Sequence, residues 1–194
     1  MHAYVLMTNY VHLLLTPMKA EAVPKLIISL GRRYVQYMNR SYKRTGTLWD
    51  SRYKSFLVQA DTDLLTCQRN IELNPVRAAM VDNPAHYRWT RYRANALWQV
   101  DDRSSPRARY MAMGRSDNTR RAAYRQLFRA HLDKAAIEDI RLALKQSQPL
   151  GNERFYAKIE KMIGIRREAK PRGRPRGEDE ESSLKITGQQ ALGL

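Results

Sequence analysis

The first seventeen residues constrain the fold most. Two short apolar runs, "HAYVLM" and "VHLLLTP", flank the polar turn "TNY", and Pro17 closes the second. Runs of this length and composition, bounded by turn residues, predict two β-strands. From about Ala22 to Arg44 the period changes. Val23, Leu26, Ile27, Leu30, Tyr34 and Tyr37 recur at three- and four-residue steps, which predicts an amphipathic helix. Arg32, Arg33, Arg40, Lys43 and Arg44 mostly fall off that stripe and form a basic outer side. "RTGTLW" supplies a glycine stop. "RYKSFLVQ" then alternates, which predicts a third strand with Arg52 and Lys54 on one face and Tyr53 on the other.

The next helix takes Asp61 as its N-cap and runs through "LLTCQRNIELN" to Pro75, which biases Asn74 away from helical geometry. "VRAAMV" adds a turn or two. Helical patterns return at 120–131, 134–146 and in "LGNERFYAKIEKMIG", where Phe155, Ile159 and Met162 share a side. The expected fold class is therefore α+β, a small antiparallel sheet with packed helices, followed by a helical C-terminal region and a basic tail. The expected organisation is an α+β domain over 1–100, a polar linker over 101–118, the helical region over 119–165 and a tail over 166–194. The tail is rich in charge, Pro and Gly without apolar period, the composition of disorder. Met1 runs almost at once into the first strand. A strand needs a neighbour on each side or becomes an edge, so an earlier element is expected before it.

Lys and Arg number 35 against 19 Asp and Glu, a formal charge of +16. That balance favours a polyanionic partner, nucleic acid first. Arg32, Arg33, Arg52, Lys54, Arg77, Arg91 and Arg93 are the candidate phosphate contacts. In "YRWTRYRANAL", Tyr87, Trp89 and Tyr92 interleave with Arg88, Arg91 and Arg93, a mixture suited either to base stacking with phosphate contact or to sealing the edge of a core. Cys67 is the only cysteine, so no intrachain disulfide forms, which fits a reducing cytoplasm. It is expected to pack as a small apolar residue. No apolar run is long enough for a membrane span, and the opening residues do not read as a signal peptide. The expected location is cytoplasmic, with no membrane partner. A homodimer stays open at this point.

In a strand, residues two apart point the same way, so Tyr10 and His12 share a face. Two histidines so placed would grip a divalent cation. One histidine in an apolar strand is more commonly a packed core residue, with Tyr10 carrying its hydroxyl to a buried acceptor. On the helix Asn70 and Asn74 are four apart and face one side. The Asn74 oxygen suits a hard cation, and it equally suits capping the turn before Pro75. Asn70 is no nucleophile.

Read together, "AYVLMTNYVHLLLTP", "LGRRYVQYMNRSYKRTGTLWDSRYKS", "RNIELNPVRAAMV" and "WTRYRANAL" resemble the REP-associated tyrosine transposases, within the larger group of single-tyrosine, His-hydrophobe-His transposases. The segments come in the family's order, and "LGNERFYAKIE" and "PRGRPRG" resemble its C-terminal part. The resemblance implies a ferredoxin-like sheet with packed helices and binding of single-stranded hairpin DNA. It also implies a divalent metal, Mg²⁺ or Mn²⁺, held by two strand histidines, and a helix tyrosine that attacks the scissile phosphate to form a 5′-phosphotyrosine link. The family's first histidine position falls on Tyr10 and the second on His12. The nucleophile position falls on Asn70, with Asn74 as a third ligand. The family's first strand and helix would precede "AYVLM". His to Tyr and Tyr to Asn each arise by one base change. The resemblance thus implies a degenerate copy with a weak or absent metal site.

Two other readings stand beside it. One is an active enzyme with a substitute tyrosine, Tyr42, Tyr53 or Tyr92. The other is a nucleic-acid-binding module without this chemistry. In the tail, Arg172, Arg174 and Arg176 belong to "PRGRPRG". Its core resembles an AT-hook, an extended segment for the narrow minor groove of A·T-rich duplex. A basic linker with no base preference explains the same residues.

Overall fold

A computed structural model describes residues 1–60, 62–97, 99, 108–130 and 132–164. The expected strands are present. β1 (Ala3–Leu6) and β2 (Val11–Leu14) pair antiparallel, with Tyr4 opposite Leu13 and Val5 opposite His12. The Met7 amide donates to the Tyr10 carbonyl at 2.7 Å and closes the polar turn. Ala3, Tyr4 and Val5 are all buried, so β1 is covered on both faces. Its second edge meets residues 89–91. The Leu6 amide donates to the Trp89 carbonyl at 2.9 Å and the Arg91 amide to the Tyr4 carbonyl at 3.2 Å. The class is α+β with a small antiparallel sheet of two strands.

α1 (Ala22–Ser41) follows the helical period, yet none of its residues is fully buried. Its half-covered row is Val23, Ile27, Gly31 and Val35, at steps of four. Trp49 lies over Gly31, where a Cβ would come 3.2 Å from the indole Nε1. The neighbouring row of Leu26, Leu30, Tyr34 and Tyr37 is exposed. The apolar arc is wider than the surface that covers it, so the inner stripe expected from the sequence is only partly inside.

The third strand does not form. Residues 52–55 are exposed, and Val58 makes only an isolated parallel bridge to Leu150. The Gln59 amide donates to the Leu150 carbonyl and the Leu150 amide to the Leu57 carbonyl, both at 2.8 Å. The backbone groups of this segment are thus taken by the chain just before the last helix, not by the sheet.

α2 (Leu64–Glu72) packs on β1 and β2 through a buried side of Cys67, Gln68 and Glu72. Its N-cap position is Asp63; Asp61 lies outside the described residues. α2 stops before α3 (Asn74–Arg77), whose first turn holds Pro75, where a missing N–H costs nothing. A 3₁₀ turn at Pro84–His86 leads to α4 (Tyr92–Ala96). Part of the expected linker is helical, as α5 (Ala108–Met111). α6 (Asp117–Leu127) begins earlier than expected because Ser116 and Thr119 form a capping box. α7 (Lys134–Gln146) and α8 (Glu153–Ile163) start from the side-chain caps Asp133 and Asn152.

Two clusters make the core. One joins Ala3 and Leu14 of the sheet to Cys67, Ile140, Ala143 and Leu150. The other joins Tyr92 and Ala96 to Tyr124. Each draws residues from both sides of 101–118. Cys67 behaves as the small apolar residue expected, and burial, with Asp63 second, pushes its thiol up to about 12. Among the described residues no helix is long and apolar enough to cross a membrane. The tail, with Arg172, Arg174 and Arg176, lies outside them.

Candidate functional site

His12 is half-buried on β2, and Tyr10 beside it is 62 % exposed. Their rings stack with centroids 6.2 Å apart and planes 24° apart, so they share a face as the strand period requires. The Tyr10 ring lies on the surface, not in the core. α2 packs against the hairpin, and along α2 and α3 Asn70, Asn74 and Arg77 fall at spacings of four and three on one side. Arg77 ties them together. Its Nη2 donates to the Asn70 carbonyl at 2.7 Å and to Asn74 Oδ1 at 2.6 Å. Burial holds the His12 imidazole below its usual pKa, and the Arg77 charge adds to this. His12 is therefore neutral at pH 7. Arg77 is exposed as a residue, yet partial burial of its guanidinium, with the charge of Arg141 on α7 second, lowers its pKa.

The face offers one imidazole and an exposed phenol. The Asn74 oxygen is taken by Arg77, whose positive charge also lowers the pKa of the His12 imidazole. Among the described residues no three His, Cys, Asp or Glu side chains converge as a metal-binding group. Asn70 places a side-chain amide where the resemblance puts a nucleophile, and its backbone carbonyl accepts from Arg77.

The candidate phosphate contacts divide. Arg32 and Arg33 are exposed on α1, and Arg52 and Lys54 are exposed in the irregular segment. Arg77 is exposed at the end of α3. Arg91 is buried, 4 % exposed, and donates to the Met1 carbonyl, so it anchors the chain start and presents nothing to a ligand. Arg93 is half-buried. The aromatics of "YRWTRYRANAL" divide as well. Tyr92 is packed in the second cluster, too enclosed to act as a substitute nucleophile, and the Tyr87 hydroxyl donates to the Leu6 carbonyl at 2.7 Å. Trp89 stays half-exposed with the Arg88 guanidinium 4.4 Å from its ring centroid. With Tyr4, Leu6, Arg93 and Gln99 these two line a hollow.

Sequence reasoning missed a buried polar network. The Tyr124 hydroxyl donates to Glu72 Oε2 at 2.7 Å and accepts from Gln68 Nε2 at 2.6 Å and Asn95 Nδ2 at 3.2 Å. Glu72 is fully buried, and its Oε1 has no partner among the described residues. Burial pushes its carboxyl up to about 8, against the hydrogen bonds of Tyr124 and Gln68 and the charge of Arg91. The available signal was its phase, four residues after Gln68 on the same side of α2. Arg141 was missed too, and no local pattern marks it.

Comparison of the chain with family models, with curated proteins and with solved structures finds no match.

Proposed function

We propose that this chain is a DNA-binding relative of the REP-associated tyrosine transposases, with a His-hydrophobe-His type of fold, that holds single-stranded hairpin DNA without cleaving it. The observation that carries this reading is Arg77, which donates to the Asn70 backbone carbonyl and to Asn74 Oδ1 and whose charge acts on the His12 imidazole. The resemblance assigns the metal ligands and the nucleophile to His12, Asn74 and Asn70, the first of them distant in sequence from the other two. The chemistry has changed. A phosphotyrosine link needs a phenolate in line with the phosphate, and the Asn70 amide cannot supply one. One imidazole and an exposed phenol, with the Asn74 oxygen already accepting from Arg77, are a poor donor set for a divalent cation. What remains is a positive surface, with Arg32, Arg33, Arg52 and Lys54 exposed in a chain of net charge +16.

The test incubates the full chain with labelled hairpin DNA and Mn²⁺. Anisotropy should show binding whose log affinity falls with log salt, at a slope of about −0.7 per phosphate contact. A denaturing gel should show no covalent protein–DNA band. A band mapped to one tyrosine would overturn the loss of cleavage, and absence of binding at low salt would overturn the reading itself.

A further inference from the structure

We infer that the hollow beside β1 holds one unpaired nucleotide of a single-stranded nucleic acid, its base stacked at Trp89 and its phosphate met by Arg88 and Arg93. That the strand is DNA rests on the proposed function; the nucleotide site itself does not. The place follows from how residues 87–93 are used by the fold. The Tyr87 hydroxyl donates to the Leu6 carbonyl, the Thr90 hydroxyl to the Tyr4 carbonyl and the Arg91 guanidinium to the Met1 carbonyl, while Tyr92 is packed in the second cluster. The side chains of Arg88, Trp89 and Arg93 take no such part. No carboxylate pairs with either arginine among the described residues. Arg93 Nε is buried with no hydrogen-bond partner among them, a loss that an acceptor on a ligand makes good. The indole of Trp89 stays 48 % exposed, although its backbone is fixed: its carbonyl accepts from the Leu6 amide, and Thr90 bridges Val5. A tryptophan held this way loses little freedom when a ligand docks on it.

The walls select the ligand. The hollow has a volume of about 460 Å³, within the range of small-molecule sites. Its lining carries two cations and no acid, which calls for an anion. Trp89 and Leu6 supply a flat apolar part, and the Arg88 guanidinium, 4.4 Å from the indole centroid, adds a planar cation. Bases stack on indole rings and on guanidinium planes alike. Gln99 is exposed and offers an amide donor and acceptor to a base edge. A planar ring joined to a phosphate meets all of these demands. A base inside a duplex is already stacked on its neighbours, so the base that enters is unpaired. The hollow is also separate from the His12 face. Tyr4 and Leu6 pair with Leu13 and Val11, so they point to the side of the sheet opposite Val5 and His12.

The test uses the full-length chain with three labelled probes: a short single-stranded oligodeoxynucleotide, its oligoribonucleotide counterpart and a blunt DNA duplex of the same sequence. Trp89→Ala should weaken single-strand binding by about tenfold, the equivalent of about 1.4 kcal/mol. It should leave the salt slope unchanged, because a lost stack releases no counterion, and it should leave duplex affinity unchanged. Trp89→Phe should recover most of the loss. Arg93→Gln should instead flatten the salt slope by about one phosphate contact. A second measurement uses the unaltered protein. Iodouracil placed in either single strand and excited with ultraviolet light should crosslink to Trp89, read by mass spectrometry. Single-strand binding by Trp89→Ala like that of the parent chain, an equal loss on the duplex, or crosslinks that avoid Trp89 would each overturn the inference. If hairpin DNA is not bound while either single strand still crosslinks to Trp89, the nucleotide site stands and only the hairpin reading fails.

Discussion

Glu72 offers the most quantitative test of the packing. Its carboxyl is pushed from 4.5 up to about 8 in the folded chain. The folded state therefore keeps a proton across this window that the unfolded state has released. The sign follows from linkage: stability is greatest below about pH 4.5 as far as this group is concerned, and is lost as pH rises towards 8. Each pH unit is worth about 1.4 kcal/mol, which gives about 5 kcal/mol over the whole window as an upper bound. Relaxation and water entry lower this, and we expect about 2–4 kcal/mol between about pH 5 and pH 8. Glu72→Gln removes the titration and keeps an acceptor for Tyr124. Its amide nitrogen takes the position where Glu72 Oε1 now has no partner, at a cost of about 1 kcal/mol. The variant should thus be slightly less stable than the parent at pH 5 and more stable by about 1–3 kcal/mol at pH 8. Urea unfolding followed by tryptophan fluorescence measures both proteins at each pH. His2, His12, His86 and His131 are present in both, so the difference between the two isolates Glu72. Parallel pH dependence in the two proteins would refute the argument.

Tyr10→His places a second imidazole beside His12 but leaves Arg77 in place, so calorimetric titration should show no gain in Mn²⁺ affinity. The double change Tyr10→His, Arg77→Ala should gain about tenfold, and an equal gain from the single change would mean that Arg77 does not oppose a cation there. Arg52→Ala with Lys54→Ala should flatten the salt dependence of hairpin binding by about one to two phosphate contacts, whereas an unchanged slope places the DNA elsewhere. A chain ending at Lys170 lacks Arg172, Arg174 and Arg176. Anisotropy on A·T-rich and G·C-rich duplexes should show loss of an A·T preference if the segment acts as a minor-groove hook, and equal loss on both duplexes if it acts only as a basic tail.

What the sequence could reveal depended on whether the deciding contact was local. The strands and α7 follow from period and caps within a few residues, and they appear where expected. Residues 52–59 alternate like a strand, but alternation cannot name a partner, and the partner here is Leu150, more than ninety residues away. Arg88 and Arg91 are three apart in one run of arginines and aromatics. One lies over an exposed indole, and the other is sealed beneath the chain start. Nothing in the run distinguishes them, because a contact that separates them, from Arg91 to the Met1 carbonyl, lies far away in sequence. The site behaves in the same way. Asn70, Asn74 and Arg77 are legible as one helical side from their spacing, and Tyr10 with His12 as one strand face. That α2 packs on the hairpin, and that the Arg77 charge is felt at His12, depends on contacts between segments far apart in the chain. The same packing explains why Asn74, a plausible cation ligand by residue type, is not free to be one: its oxygen already holds the guanidinium. Residue type gave a list of donors, and the neighbour brought in by the fold decides which of them stay open.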